Sequence, residues 1–306
     1  MTAPATPVGT GAPTATQVVA GEHESLLRMA ARRFRRHRLA MIGLVILVTI
    51  VAIALFLPFI VPLDPIKPSY DNLGMPPSAN HLLGGDLSGR DIFARVVYGT
   101  RVSLIAGFGA VVVFVTIGTA IGLLAGAFGG MTDQVLMRVT DIILSIPPLL
   151  LIIVFISIVG PGLGSVIAVI GLVFWPQTAR LVRGQLLSLR EAEFVTASRV
   201  IGVKERSIVG RHMIPNIFGP LTVVATFGVA SAILLEAALS FLGLGVQPPT
   251  PSLGEMISAA RAPAVLQNQP WVWLPAGVVI ALIVMSVNFV GDGLRDALDP
   301  RATRRG

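Results

Sequence analysis

The amino-acid sequence predicts an all-α integral membrane protein with six transmembrane helices. Hydrophobic residues make up 54% of its 306 residues and charged residues only 13%, which is about half the charged share of a typical soluble domain. The apolar residues also occur in long runs, and about 20 of them are enough for a helix to cross a bilayer. This composition argues against a disordered chain, and the absence of cysteine excludes disulfides, thiolate catalysis and cysteine–zinc sites.

Residues 1–38 precede the first apolar run. The first 20 carry no charge, and their composition predicts a disordered tail. An arginine cluster follows directly before the run, formed by Arg28, Arg32, Arg33, Arg35, Arg36 and Arg38. We favour a positive-inside anchor over nucleic-acid binding, because the cluster adjoins a predicted span. The run is also too long for the apolar region of a signal peptide.

Six apolar runs can form spans. They are Leu39–Val61, Leu104–Phe128, Ile142–Val159, Val166–Thr178, Ile217–Leu242 and Trp273–Val290. The third run is interrupted early by Pro147-Pro148. The fourth is short, and we expect its helix to start near Gly162 and continue toward Val182.

The second run carries small residues at four-residue spacing, a pattern that lets helix backbones approach closely in lipid. These residues are Gly118, Gly122 and Gly126. We expect them to pack against another helix of the same chain. A contact with a second subunit is the alternative.

The basic residues are distributed asymmetrically over the predicted loops. With the N-terminus in the cytoplasm, 18 lie on the inside and five on the outside. The five are Lys67, Arg90, Arg95, Arg101 and Arg261. Cytoplasmic loops carry the excess of lysine and arginine, so both termini are predicted to be cytoplasmic.

The sequence lacks the common signatures of a membrane enzyme. No P-loop is present, and the four histidines are scattered. The one ionisable residue well inside a predicted span is Glu236. Such a residue can contact a neighbouring helix or subunit, line a pore or relay protons, and all three interpretations stay open at this point.

The loop between the fourth and fifth spans, Glu191–Asn216, is the longest inside loop. It predicts two short amphipathic helices. An apolar stripe on the first is formed by Phe194, Ala197 and Ile201. Gly202 is placed to end that helix, and Pro215 to begin the next span. A short helix of this kind can act as a lever that transmits the motion of a soluble motor, or it can be an ordinary interfacial helix.

The spacing of this loop resembles the EAA loop of ABC-importer permeases. The matching frame is Thr196-Ala197-Ser198, then Gly202, then His212-Met213-Ile214-Pro215. It departs from the family pattern by Thr for Glu, Ser for Ala, His for Ile and Ile for Leu. Three further stretches resemble the dipeptide/oligopeptide/nickel branch, specifically the second of its two paired membrane subunits. They are His81–Asp91, Leu235–Gly245 and Gly291–Pro300.

The resemblance implies a type I ABC importer permease fold with cytoplasmic coupling helices. It implies a multi-pass protein of the inner or plasma membrane that forms the pore for di- or oligopeptides, nickel or peptide-like solutes. The implied partners are a second, different permease subunit, two ABC ATPase subunits and an extracytoplasmic solute-binding protein. ATP and Mg would be bound by the ATPases, so this chain would be no enzyme and would bind no cofactor or metal.

The resemblance also implies roles for two sets of residues. The set expected to dock in an ATPase groove is Thr196, Ala197, Ser198, Gly202, His212, Ile214 and Pro215. The extracytoplasmic signature comprises His81, Gly84, Asp86, Gly89, Arg90 and Asp91. Its glycines favour a structured turn over a metal or substrate site.

These assignments divide the chain into five parts. They are a cytoplasmic tail (1–38), a first transmembrane helix (39–61), an extracytoplasmic segment (62–101), a five-helix permease core (102–290) with its coupling loop (191–216), and a cytoplasmic C-terminal tail (291–306). Two other functions remain open: an ion-coupled secondary transporter with Glu236 as relay, and a structural or assembly membrane protein.

Overall fold

The computed structural model describes residues 26–79 and 81–298. Within those residues the regular structure is helical, as predicted. The helices are α1 (Leu26–Arg36), α2 (Arg38–Ile60), α3 (Ile92–Phe128), α4 (Gly130–Leu144), α5 (Pro148–Val159), α6 (Leu163–Arg190), α7 (Glu193–Val200), α8 (Glu205–Ile208), α9 (Ile214–Phe241), α10 (Leu253–Ser258), α11 (Pro263–Asn268) and α12 (Pro270–Leu298). A π-helical turn at Val209–Met213 joins α8 to α9. The predicted disordered tail and the end of the C-terminal tail lie outside the described residues.

In the described part of the chain, five helices are long and apolar enough to cross a membrane, or six if one bent pair counts as a span. The bent pair is α4 and α5, whose axes meet at 87°. The break coincides with Pro147-Pro148, because a proline ring has no N–H to donate and forces the preceding residue out of the helical region. The predicted interruption of the third run at Pro147-Pro148 is therefore confirmed, and the break is sharper than a kink within one span.

Two helices are longer than the apolar runs that predicted them. Helix α3 begins at Ile92 rather than near Leu104. Residues 92–101, which we predicted as the last part of the extracytoplasmic segment, therefore form the first turns of this helix. Helix α6 starts close to the expected Gly162 and continues to Arg190. Charged side chains lower the hydropathy of both extensions, although they do not interrupt the helix.

Arg101 shows how a charge is accommodated inside an apolar helix pair. Its guanidinium donates to the carbonyl oxygens of Ala54 and Leu55 in α2. Pro58 lies four residues after Ala54 in α2 and has no N–H to bond that carbonyl. The guanidinium also lies 5.3 Å from the centre of the Tyr98 ring. Arg101 thus supplies the donor that the proline removes.

The glycine spacing in α3 serves packing within the chain, as expected. A side chain at Gly118 would meet the carbonyl oxygen of Trp175 and the side chain of Thr178 in α6, and one at Gly126 would meet the side chain of Leu186. Gly122 faces the carbonyl oxygen of Ala179 in the same way. These close approaches make α3 and α6 the central pair of the bundle.

The segments between helices gather at two opposite ends of the bundle. One end carries α1, α7, α8 and the C-terminus of α12, where the Phe34 ring lies against Gly293. The other end carries residues 61–79 and 81–91, α10 and α11. Each end presents one of the two residue sets that the sequence singled out.

Replacing Gly122 with alanine should destabilise the fold. The added Cβ would lie 2.6 Å from the carbonyl oxygen of Ala179, and a helix backbone cannot move aside cheaply. We expect a loss of about 1–3 kcal/mol, measured as a lower thermal unfolding temperature in detergent. Gly277→Ala is the matched control, because no atom lies within 4 Å of the new Cβ. Equal unfolding temperatures for the two variants would contradict the packing role of Gly122.

Candidate functional site

The turn after α7 has a defined geometry. Gly202 has a φ of +81°, a conformation that other residues rarely adopt. The N–H of Gly202 donates to the carbonyl of Arg199 at 3.0 Å, and the N–H of Val203 donates to that of Ser198 at 3.1 Å. These two bonds form a Schellman motif, which ends the helix and sets the direction of the chain after it. The predicted role of Gly202 as the end of this helix is confirmed.

One face of the loop is anchored in the bundle. Val195, Ile208 and Met213 are fully buried and pack in one cluster with Val182 and Leu186 of α6. A short helix has little stability of its own, so this apolar contact is what holds α7 in place. Any force on α7 therefore reaches α6 and the start of α9.

The opposite face of α7 is apolar and exposed. The predicted stripe lies there: Ala197 is exposed, and Phe194 and Ile201 are 44% and 78% exposed. Val200, which is 81% exposed, extends it. The residue of α7 that packs in the bundle is Val195, which the stripe does not include. An apolar patch of this kind is typical of a protein contact surface.

The other members of the predicted coupling set lie around this patch. The hydroxyls of Thr196 and Ser198 donate to backbone carbonyls within the loop, at 3.4 and 2.7 Å. His212 and Ile214 are partly buried, and Pro215 is exposed in the first turn of α9. The structure thus brings the set together around one loop, with its more exposed members on the outer surface.

An ion pair links α7 to α8. Arg199 donates to Glu205 at 2.8 Å, and hydrogen bonding to that carboxylate raises the pKa of Arg199. Both side chains are 40% exposed or more, so water weakens the pair. The Schellman turn and the buried anchor contribute more to the shape of the loop.

At the other end, the extracytoplasmic signature forms a structured turn, which we name the outer platform (residues 81–91). Gly84 and Gly89 have φ values of +77° and +76°. A side chain at Gly85 would clash with the carbonyl oxygen of Asn72. Glycine is therefore required at these positions by backbone conformation and by close approach.

Two carboxylates organise the outer platform. Asp86 accepts hydrogen bonds from the N–H groups of Ser88 and Arg90 and from the Arg90 side chain, at 2.7–2.9 Å. Asp91 caps the N-terminus of α3 by accepting from the N–H of Ala94 at 2.8 Å. Its other oxygen lies 2.8 Å from Nδ1 of His81. In the described residues no group of three acidic or histidine side chains could hold a metal ion.

One buried contact at this end was not predicted from the sequence. Arg95, 2% exposed, donates to Glu255 of α10 at 2.6 Å and to the carbonyl of Pro65 at 3.1 Å. It thereby joins α3, α10 and the segment after α2. Burial raises the pKa of Glu255, while the charge of Arg95 acts in the opposite direction. The available signal was the position of Arg95, one turn after the cap at Asp91.

Glu236 lies fully buried between α9 and α3. Its two oxygens accept hydrogen bonds from Ser103 at 3.0 Å and from Ser240 at 2.8 Å. Each serine oxygen also accepts a backbone N–H, from Leu253 and Val246 respectively. Among the three interpretations of Glu236, the structure favours contact with a neighbouring helix.

Comparison with known families gives two matches. Residues 118–304 match the family described as the binding-protein-dependent transport system inner membrane component. Residues 25–77 match the N-terminal transmembrane domain of oligopeptide transport permease C.

Several relatives are similar to this chain along most of their length. A dipeptide transport system permease protein of Alkalihalophilus pseudofirmus is 41% identical, over 90% of this chain and 90% of that protein. A glutathione transport system permease protein of Pectobacterium atrosepticum is 39% identical, over 88% and 89%. The inward-facing MetNI methionine ABC transporter has a similar fold, with a TM-score of 0.57, 22% identity, and coverage of 68% of this chain and 98% of that chain.

Substitution of Arg95 by methionine should destabilise the outer end. It leaves the Glu255 carboxylate buried without its partner, which costs about 3–5 kcal/mol in other proteins. The double variant with Glu255→Met should recover part of the loss in unfolding temperature. Arg180→Met is the control, because Arg180 and Asp141 are more than half exposed and such pairs contribute about 0–1 kcal/mol. Equal losses for Arg95→Met and Arg180→Met would contradict this account.

Proposed function

The chain belongs to the family of binding-protein-dependent transport system inner membrane components, and we propose that it is a pore-forming permease subunit of an ATP-driven peptide importer. It is a multi-pass inner-membrane protein and a transport component rather than a catalytic subunit. The observation that carries the proposal is the exposed apolar patch on α7, held at a fixed angle by Gly202 and anchored to the spans by Val195.

The names of the relatives support peptides as the solute class. One relative is named as a dipeptide permease and another as a glutathione permease, and glutathione is itself a small peptide. Together with the match to oligopeptide transport permease C, these names support di- or oligopeptides over nickel as the solute of this chain. We propose that a solute-binding protein delivers the peptide to the end that carries the outer platform.

The patch on α7 is the proposed contact with an ATPase subunit. Val200 and Ile201 are about four-fifths exposed, so they have no partner within the described residues that covers them. Burying such side chains is favourable by about 1.5–3 kcal/mol each. In the proposed assembly, two ATPase subunits bind ATP and Mg, and a second, different permease completes the pore.

The orientation follows from the same arrangement. The arginine-rich helix α1 lies at the end of the bundle that carries α7. Basic residues concentrate on the cytoplasmic side of membrane proteins. We therefore propose that α1, α7 and both termini face the cytoplasm, and that the outer platform faces the opposite side.

The structure offers no support for an ion-coupled carrier. Glu236 is fully buried and accepts hydrogen bonds from two serines of its own chain. Within the described residues it forms no ion pair. A proton relay needs access to water at some stage, so the buried position of Glu236 and its serine contacts support a structural role for it.

Ile201→Asp should remove the ATPase partner from the purified complex. The side chain is 78% exposed, so the substitution should leave the fold intact. We expect recovery of the ATPase in co-purification to fall by about tenfold or more, the effect of losing an apolar hot spot of about 2 kcal/mol. Recovery of the second permease should stay unchanged. Leu87→Asp, at a 55% exposed position of the opposite end, is the control, and equal recovery for both variants would contradict docking at α7.

A further inference from the structure

A pocket of about 240 Å³ lies between α3, α6 and α9, away from both sites described above. Aromatic and aliphatic residues form most of its wall, among them Phe114, Phe174 and Phe227. None of the described residues that line it is charged. Pockets that hold whole small ligands measure about 300–1,000 Å³, so this pocket fits one part of a solute.

One buried hydroxyl at this pocket lacks a partner. Thr178 is 1% exposed, and its Oγ1 makes no hydrogen bond. The hydroxyls of Thr226 and Ser231 in α9 instead donate to carbonyls of their own helix, at 2.8 and 3.1 Å. A buried polar atom without a partner costs about 1–3 kcal/mol. Thr178 therefore has an unused hydrogen-bonding group at the wall of the pocket.

Gln177 indicates what this face of the bundle contacts. It is exposed, lies in the middle of α6 and lines the same pocket. Within the described residues its amide makes no hydrogen bond. An amide facing hydrocarbon would lose several kcal/mol of solvation, so lipid is a poor neighbour for it. Water, a polar solute or another protein fits this position better.

We propose that the pocket is a subsite on the solute path, where it holds one uncharged apolar side chain of the transported peptide. Thr178 and Gln177 would hydrogen-bond the peptide backbone beside that side chain. The inference rests on the proposed function for the identity of the solute. The aromatic wall, the lack of charge and the unpaired hydroxyl of Thr178 together support it.

Single cysteines can test whether water reaches this face. The chain has no cysteine of its own, so an introduced thiol on it reports one position only. In the complete transporter in proteoliposomes, Ser231→Cys should react with a membrane-impermeant methanethiosulfonate reagent, and alanyl-phenylalanine should slow the reaction. Val48→Cys, at a 57% exposed position of α2, is the lipid-facing control and should not react. If Ser231→Cys stays unlabelled with and without ATP, lipid or the second permease covers the pocket and the proposal is wrong.

Filling the pocket tests its selectivity. Ser231→Leu should lower ATP-driven uptake of alanyl-phenylalanine by about tenfold or more and change uptake of alanyl-alanine by less than about twofold. Thr222→Leu on the same helix is the control, because Thr222 does not line the pocket. Equal loss of both peptides, or no loss of either, would overturn the subsite. If the wild type takes up neither peptide, the proposed function fails instead, and the labelling of Ser231→Cys alone decides whether this face lines a water-filled path.

Discussion

Most of the charged groups inside the apolar helices that the structure describes are satisfied by the chain itself, and much of the architecture depends on that constraint. Arg101 bonds the carbonyl that Pro58 leaves without a helical donor. Glu236 accepts from two serines, one of them on another helix. Several other buried polar atoms have no hydrogen-bond partner within the described residues, among them Oγ1 of Thr119, Nε1 of Trp273 and Oγ1 of Thr178. Of these, Thr178 lies beside the exposed amide of Gln177 at the pocket between α3, α6 and α9, and that combination makes the pocket a candidate for function.

The two ends of the bundle are built in different ways that suit different tasks. The end that carries the outer platform is held by a charged contact between segments distant in sequence, in which Arg95 joins α3 to Glu255 of α10. The α7 loop is held by an apolar anchor at Val195 and a glycine turn, and it leaves apolar side chains such as Ile201 outside. A rigid platform is suited to binding a partner protein. An anchored helix with an exposed face is suited to transmitting a partner's movement to the transmembrane helices.

The sequence predicted the helical class, the location of the spans and the end of α7 at Gly202, because these depend on local hydropathy and backbone preference. It placed the start of α3 too late, since hydropathy counts Arg95 and Arg101 as loop residues although both are satisfied in the fold. Pro147 predicted an interruption but not its angle, which tertiary packing determines. The partners of Arg95 and Glu236 could not be predicted, because more than 100 residues separate each from its partner on another helix.

The central claim is that partner ATPases, rather than an ion gradient, drive this permease. The most direct measurement is uptake of a labelled dipeptide by proteoliposomes that contain the whole complex and its binding protein. The account predicts accumulation only when ATP is present on the side of α7 and the binding protein on the side of the outer platform. Accumulation driven by a proton or sodium gradient without ATP would contradict it.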